Sequence, residues 1–220
     1  MIEFFSSTLS NIKIILFVVI FGQSNGVGWT TGAPSEGYLN DPIANTYIWS
    51  GEDFEQLEYG VNNKGQSGHG IELNLGYLAN QGVYDEIYIV KEAVGSTGLG
   101  DTGNINTNWG KSTGVLFNSM VIEINQALDS LDASNKVIYK HVAYFNQGEK
   151  DADDATLALN YQTNYEALID NFRTDVTYGS KFRFIGTRLN SSISRPHLTQ
   201  VRTALQNAIA NKTNCYWINQ

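Results

Sequence analysis

The chain has 220 residues, a formal net charge of −8 and 42% hydrophobic residues. That length carries one domain with a full core, and an acidic balance without a basic stripe argues against a nucleic-acid partner. The single cysteine, Cys215, excludes an internal disulfide and a cysteine-held zinc cluster, and no apolar run reaches the length of a membrane span.

Met1 to Lys13 is mixed and polar and reads as a loose lead-in. From Ile14 to Phe21 every residue is apolar, and the run ends at Gly22. A continuous run of this kind, rich in Ile, Val and Phe, predicts a strand buried on both faces. Gly22-Gln23-Ser24-Asn25-Gly26 follows at once. Two glycines around a serine let the backbone turn sharply and present Ser24 at the carboxyl end of the strand, the edge where open α/β sheets bind ligands. There Ser24 is a candidate nucleophile, which needs a base and N–H donors for an oxyanion. Other readings compete. A phosphate-cradling loop lacks its glycine spacing, and a secretory signal with Lys13 as its positive end lacks a small-residue cleavage site. A plain structural turn also fits the pentapeptide. The nucleophile elbow of α/β-hydrolases fits it too, but only about twenty residues precede Ser24, too few for the strands that fold puts before its elbow.

Asn45–Trp49 fits a short strand, and the Gly- and Asn-rich stretch Gly51–Gly68 reads as surface loop. Gly70–Gln81 reads as a helix that Gly82 stops, and Ile87–Val90 as a second buried strand. Gly95–Gly110 is a long loop, a feature that is more often functional than accidental. Thr113–Leu131 carries Phe117, Met120, Val121, Ile124, Leu128 and Leu131 at helical spacing, a stripe that reads as core packing. Lys136–Phe145 is the third strand and ends at Asn146-Gln147-Gly148-Glu149. Asp153–Val176 is a long helix, Lys181–Ile185 a fourth strand and Cys215–Ile218 a fifth. Between these last two, Ser194-Arg195-Pro196 fits the cap and first turn of another helix. Strands alternating with helices predict an α/β fold with a parallel sheet and helices on both faces. That sheet brings Ser24 and Gln147 to one edge. There a glutamine side chain can donate to an oxyanion or simply hold a loop backbone, and spacing alone favours the second role.

At this point the chain resembles a known family. Gly22-Gln23-Ser24-Asn25 after a first strand, with Gln147-Gly148-Glu149-x-Asp151 far downstream, is similar to the sialate O-acetylesterase group of the SGNH hydrolases, relatives of the family-six acetylxylan esterases. Gly70-Ile71-Glu72-Leu73, Lys91-Glu92-Ala93-Val94-Gly95-Ser96 and Val201-Arg202-x-Ala204 resemble further family segments, so the likeness covers about Ile14 to Gln220. The resemblance implies a three-layer α/β/α sandwich with a mainly parallel five-stranded, flavodoxin-like sheet. It also implies removal of O-acetyl groups from a carbohydrate, with no cofactor and no metal. Ser24 matches the nucleophile. The N–H groups of Ser24 and Gly70, with the Gln147 side chain, match the oxyanion donors, while Gln23, Asn25, Glu149 and Asp151 match supporting positions.

The sequence departs from the family at the base. The family's Asp-x-x-His motif, which follows the last strand, is absent. His141 lies inside the third strand and reads as a core histidine. His69 sits beside Gly70, where the family places no base, and His197 opens a helix ahead of the matching segment and is kept as a fallback. A chain lacking a carboxyl-terminal segment explains this most simply, and on that expectation the polypeptide alone is a very poor esterase. The alternative is a catalytically impaired or inactive domain that binds carbohydrate or serves as structure. The residues assign neither compartment nor oligomeric state. Asn190-Ser-Ser and Asn211-Lys-Thr fit the glycosylation sequon, as many chance triplets do.

Overall fold

The structure, a computed structural model, describes residues 13–28, 33–60 and 69–220, so that all of the expected lead-in but Lys13 lies outside the described residues. The chain runs β1 (Ile15–Gly22), α1 (Ser24–Val27), β2 (Thr46–Trp49), β3 (Phe54–Gln56), α2 (Ile71–Asn80), β4 (Glu86–Ala93) and α3 (Leu116–Ala133). It continues β5 (Ile138–Asn146), α4 (Ala155–Asp175), β6 (Phe182–Arg188), α5 (Leu198–Ala210) and β7 (Cys215–Asn219). The strands form one sheet in the order β3-β2-β4-β1-β5-β6-β7, and every neighbouring pair is parallel except β2 with β3.

β1 lies at the centre because neither of its faces is made for water. Phe17, Val19 and Phe21 point into a cluster with Phe117 and Met120 of α3, Tyr165 and Phe172 of α4, and Leu205 of α5. Leu16, Val18 and Ile20 point the other way, toward Leu73 of α2 with Leu39, Ile48 and Leu57. Each such burial contributes roughly 1.5–3 kcal/mol, so the run that looks uniform in sequence serves two cores at once. The result is the expected three-layer α/β/α sandwich. Helix α4 is fixed at its start by Asp154, whose carboxylate accepts from the N–H groups of Thr156 at 2.8 Å and Leu157 at 2.9 Å.

Three details differ from the sequence reading. The sheet has seven strands among the described residues rather than five. The extra β3 lies within the stretch read as surface loop; it is three residues long, too short for alternation to show, and is held by Phe54 against the rings of Trp49 and Tyr88. Helix α5 begins at Leu198, so Ser194 does not cap it and Pro196 lies ahead of its first turn. The cause is tertiary. Arg195 pairs with Asp153 at 2.7 Å, and the His197 N–H donates to the Ala152 carbonyl at 2.9 Å, which ties this segment to the turn after β5.

Gly22 pairs with Ala93 of β4 on one side and Asn146 of β5 on the other. Three central strands therefore end on one line, and the loops that follow them meet there. Among the described residues no helix is long and apolar enough to cross a membrane.

Candidate active site

The turn that carries Ser24 depends on Gly22. Its φ is +127°, and a Cβ there would lie 2.0 Å from the Asn146 carbonyl oxygen. Without that atom β1 and β5 stay in contact to their ends, and the Gln23 N–H donates to the same carbonyl at 2.8 Å. Ser24 then opens the short helix α1, half-buried. In the first turn of a helix the N–H groups have no intrahelical acceptor, and those of Ser24 and Asn25 meet none among the described residues. The Ser24 hydroxyl is likewise without a partner among them.

Two hollows meet at Ser24. One, of about 720 Å³, is lined by polar side chains from five strand ends, among them Ser96, Asn146, Glu149, Asn190 and Arg195. The other, of about 520 Å³, is lined by Asn25, His69, Gly70 and Asn74. Beneath the first hollow Glu149 ties the turn down. It accepts from the Gln23 side chain and, at 2.8 Å, from Asn25 Nδ2. Burial pushes its carboxyl above the ordinary value, against the charge of Arg195 and the hydrogen bond from Asn25. Gln220, just beyond β7, reaches the same edge and donates to Asn146 Oδ1 at 2.8 Å.

Two of the expected oxyanion donors are engaged elsewhere. The Gln147 side chain is buried, and its Nε2 donates to the Thr97 carbonyl at 3.1 Å and to Asp151 Oδ2. Both amide hydrogens are thus used, and Gln147 lines neither hollow at Ser24. The Gly70 N–H donates to Glu72 Oε1 at 2.7 Å. In this structure both donors that the resemblance assigns to the oxyanion are hydrogen-bonded within the chain. Each donor meets a buried carboxylate, a charge-assisted contact of the stronger kind. The long Gly95–Gly110 loop supplies the other half of this brace. Its Leu99 N–H donates to both Asp151 oxygens, and Trp109 fastens it by an indole N–H to Thr97 Oγ1 at 2.9 Å.

Asp151 is fully buried, and burial pushes its carboxyl up to about 6 from 3.8, against the hydrogen bonds from Gln147 and Leu99 that lower it. The folded chain therefore holds a proton that the unfolded chain has released between about pH 4 and pH 6. Stability falls as pH rises through that window, by about 3 kcal/mol, and levels off above it. Asp151→Asn is expected to remove this slope. Urea melts of both proteins between pH 4 and pH 7 check it, and parallel stability curves would refute the assignment.

The histidines divide three ways. His141 is buried in β5 among the rings of Phe17, Phe182 and Tyr178, and burial, with Lys181 nearby, lowers it to about 4, as a core histidine requires. His197, the fallback base, sits at the start of α5 and lines a separate groove with residues of α4 and α5. Its backbone N–H is tied to Ala152, and His197 lines neither hollow at Ser24. His69 does line a hollow with Ser24. Ser96, Asn146, Asn190 and Arg195 were missed in the sequence. Asn146 alone carried a signal, as the last residue of a strand that ends beside Ser24. Among the described residues no group of three His, Cys, Asp or Glu is placed to hold a metal ion.

Solved structures share this architecture. The chain is similar to an Arabidopsis thaliana protein, with 18% identity, a TM-score of 0.70 and coverage of 93% of this chain and 84% of the other. It is similar to NanS, with 15% identity, a TM-score of 0.72 and coverage of 94% and 78%. At these identities the likeness concerns the fold. No curated protein matches the sequence. The family model described as "carbohydrate esterase, sialic acid-specific acetylesterase" matches residues 14–220, and with nearly the whole chain inside that match, the chain belongs to this carbohydrate esterase family.

Proposed function

We propose that the chain is a serine esterase that removes O-acetyl groups from carbohydrates, of the sialate O-acetylesterase or acetylxylan esterase type, with Ser24 as its nucleophile. The observation that carries this reading is the placement of Ser24 at the end of the central strand, where two polar hollows meet and its hydroxyl has no partner among the described residues. Polar walls suit a sugar, whose hydroxyls need partners once water is displaced.

A base removes the Ser24 proton as Oγ attacks the acetyl carbonyl. The negative charge moves to the carbonyl oxygen, toward the N–H groups of Ser24 and Asn25, which meet no acceptor among the described residues. Collapse expels the sugar hydroxyl and leaves an acetyl-serine, which water then hydrolyses to acetate. Gln23, Asn25 and Glu149 brace the turn from one side. Gly70 and Gln147, the donors that the resemblance assigns beside Ser24, also brace it from the other side with Glu72 and Asp151.

The test is direct. The chain is incubated with O-acetylated sialic acid and with acetylxylan, released acetate is measured, and a serine-directed fluorophosphonate is mapped by mass spectrometry. Acetate release with the label on Ser24 supports the reading. Release with the label on another serine removes Ser24 from the role, and no release from either sugar removes the substrate class.

A further inference from the structure

We propose that a hollow at the amino-terminal edge of the sheet, lined by Lys140, Lys181 and Arg183, binds a phosphate group. The hollow holds about 430 Å³, and its wall continues with Tyr139, His141 and Asn214. Strand register brings the cations together. His141 of β5 pairs with Phe182 of β6, and Val142 pairs with Arg183. Lys140 and Lys181 therefore stand just before the first pair, and Arg183 lies two residues beyond Lys181. Strands about 4.8 Å apart, rising about 3.3 Å per residue, put these three positions within roughly 8 Å of one another. The cations come from two strands, so no basic run in the sequence announces them.

The three charges meet no carboxylate. No acidic residue lines the hollow. Among the described residues none of Lys140, Lys181 and Arg183 forms an ion pair, whereas Lys13, Lys91, Lys111, Lys136, Arg195 and Lys212 each hold a carboxylate. The contrast is sharp in a chain with 22 acidic residues against 14 basic ones, where partners are plentiful. Two of the ammonium heads rest near rings instead. Lys140 Nζ lies 5.5 Å from the ring centroid of Tyr139, and Lys181 Nζ 4.4 Å from that of Tyr178. A ring face attracts a cation without neutralising it. Asp132 is held by the Tyr178 hydroxyl at 2.8 Å and does not line the hollow. His141 feels the field that remains. Burial first, and Lys181 second, lower its imidazole to about 4 against the charge of Asp132, so the ring stays neutral near neutral pH.

Like charges set this close repel one another until an anion sits between them. A single carboxylate would leave two of the three unmatched. A phosphate group carries nearly two charges near neutral pH and at least three acceptor oxygens. Arg183 offers it a planar fork of donors, and the two lysines offer point charges. The site stands apart from the Ser24 hollows. Lys140 and Asn146 lie six residues apart on β5, about 20 Å of strand, and Asn146 lines the hollow at Ser24. A ligand here leaves the candidate active site open.

The experiment follows the amide NMR spectrum of the full chain at low ionic strength, where screening is weak. Inorganic phosphate and glucose 6-phosphate are titrated separately, with glucose as the uncharged control. Saturating shifts are expected at the amides around Lys140, Lys181, Arg183 and Asn214 with either phosphate and not with glucose. Tighter binding of the ester assigns the site to phosphate monoesters, and equal or tighter binding of the free ion assigns it to inorganic phosphate. Lys140→Gln combined with Arg183→Gln is expected to weaken binding by about tenfold or more, the loss of hydrogen bonds to a charged group. Arg183 is exposed and Lys140 half-buried, so the fold should keep both changes. If the double variant loses its native spectrum, Lys181→Glu at an exposed position replaces it, with the same loss expected. No saturating shift with either phosphate, the same shifts with glucose, unchanged affinity in the variant, or shifts centred on the turn at Ser24 overturns the proposal.

Discussion

Ser24→Ala is expected to lower kcat for acetyl-ester hydrolysis by roughly 10⁴- to 10⁶-fold, the range set by removal of a serine nucleophile from a working site. The fold should not register the change. The Ser24 hydroxyl makes no hydrogen bond to a described residue, the residue is half-buried, and alanine suits the first turn of a helix. Its N–H remains in place for the oxyanion. The loss therefore belongs to bond formation at Oγ, and should appear in kcat with little change in KM. Steady-state kinetics beside a thermal melt separate the two effects. Residual activity above a tenth of the parent's, with Tm unchanged, would exclude Ser24 as the nucleophile.

Much of the frame behind that serine was legible before the structure. The apolar run from Ile14 to Phe21 has one physical solution in an α/β domain, a strand covered on both sides, and its even and odd residues do enter two separate cores. Helix α3 was legible for the same reason, since its stripe at three- and four-residue spacing is a packing face. What failed was decided by contacts distant in sequence. Ser194 and Pro196 fit a helix start, but Arg195 and His197 are held by the turn after β5, and no local propensity encodes that tie. The partners of the expected oxyanion donors were hidden for a similar reason. Gln147 and Gly70 arrive at the expected edge, yet Asp151 and Glu72 claim their hydrogens, and a motif read as a string does not show which acceptor wins. That His69 lines a hollow with Ser24 was not legible either, because the two meet where Gly28 touches Gly70, a contact between segments without periodicity.

Lys91→Met is expected to destabilise the chain by about 3–5 kcal/mol, the cost of stranding a buried charge. Lys91 on β4 and Glu72 in the first turn of α2 sit 2.9 Å apart, with side chains 1% and 0% exposed. The two came from separate stretches, each similar to a family segment, and the structure shows them as two ends of one ion pair. Glu72 also receives the Gly70 N–H, so the pair fixes the turn that backs onto α1. With methionine at position 91, Glu72 loses its buried counter-charge in an apolar layer beside Ile20, the residue paired with Lys91 in the sheet. Neutralising both should reverse most of the damage. In Lys91→Met with Glu72→Gln, the glutamine carbonyl can still accept from Gly70, and replacing a whole buried pair is often close to neutral. Urea unfolding of the parent, both single variants and the double variant gives the coupling energy directly. A Lys91→Met variant within about 1 kcal/mol of the parent, or a double variant no better than the singles, would show that this pair does not hold the turn. If it does, the single variant should also label more slowly at Ser24 under conditions where it remains folded, because the Gly70 backbone that supports α1 has lost its anchor.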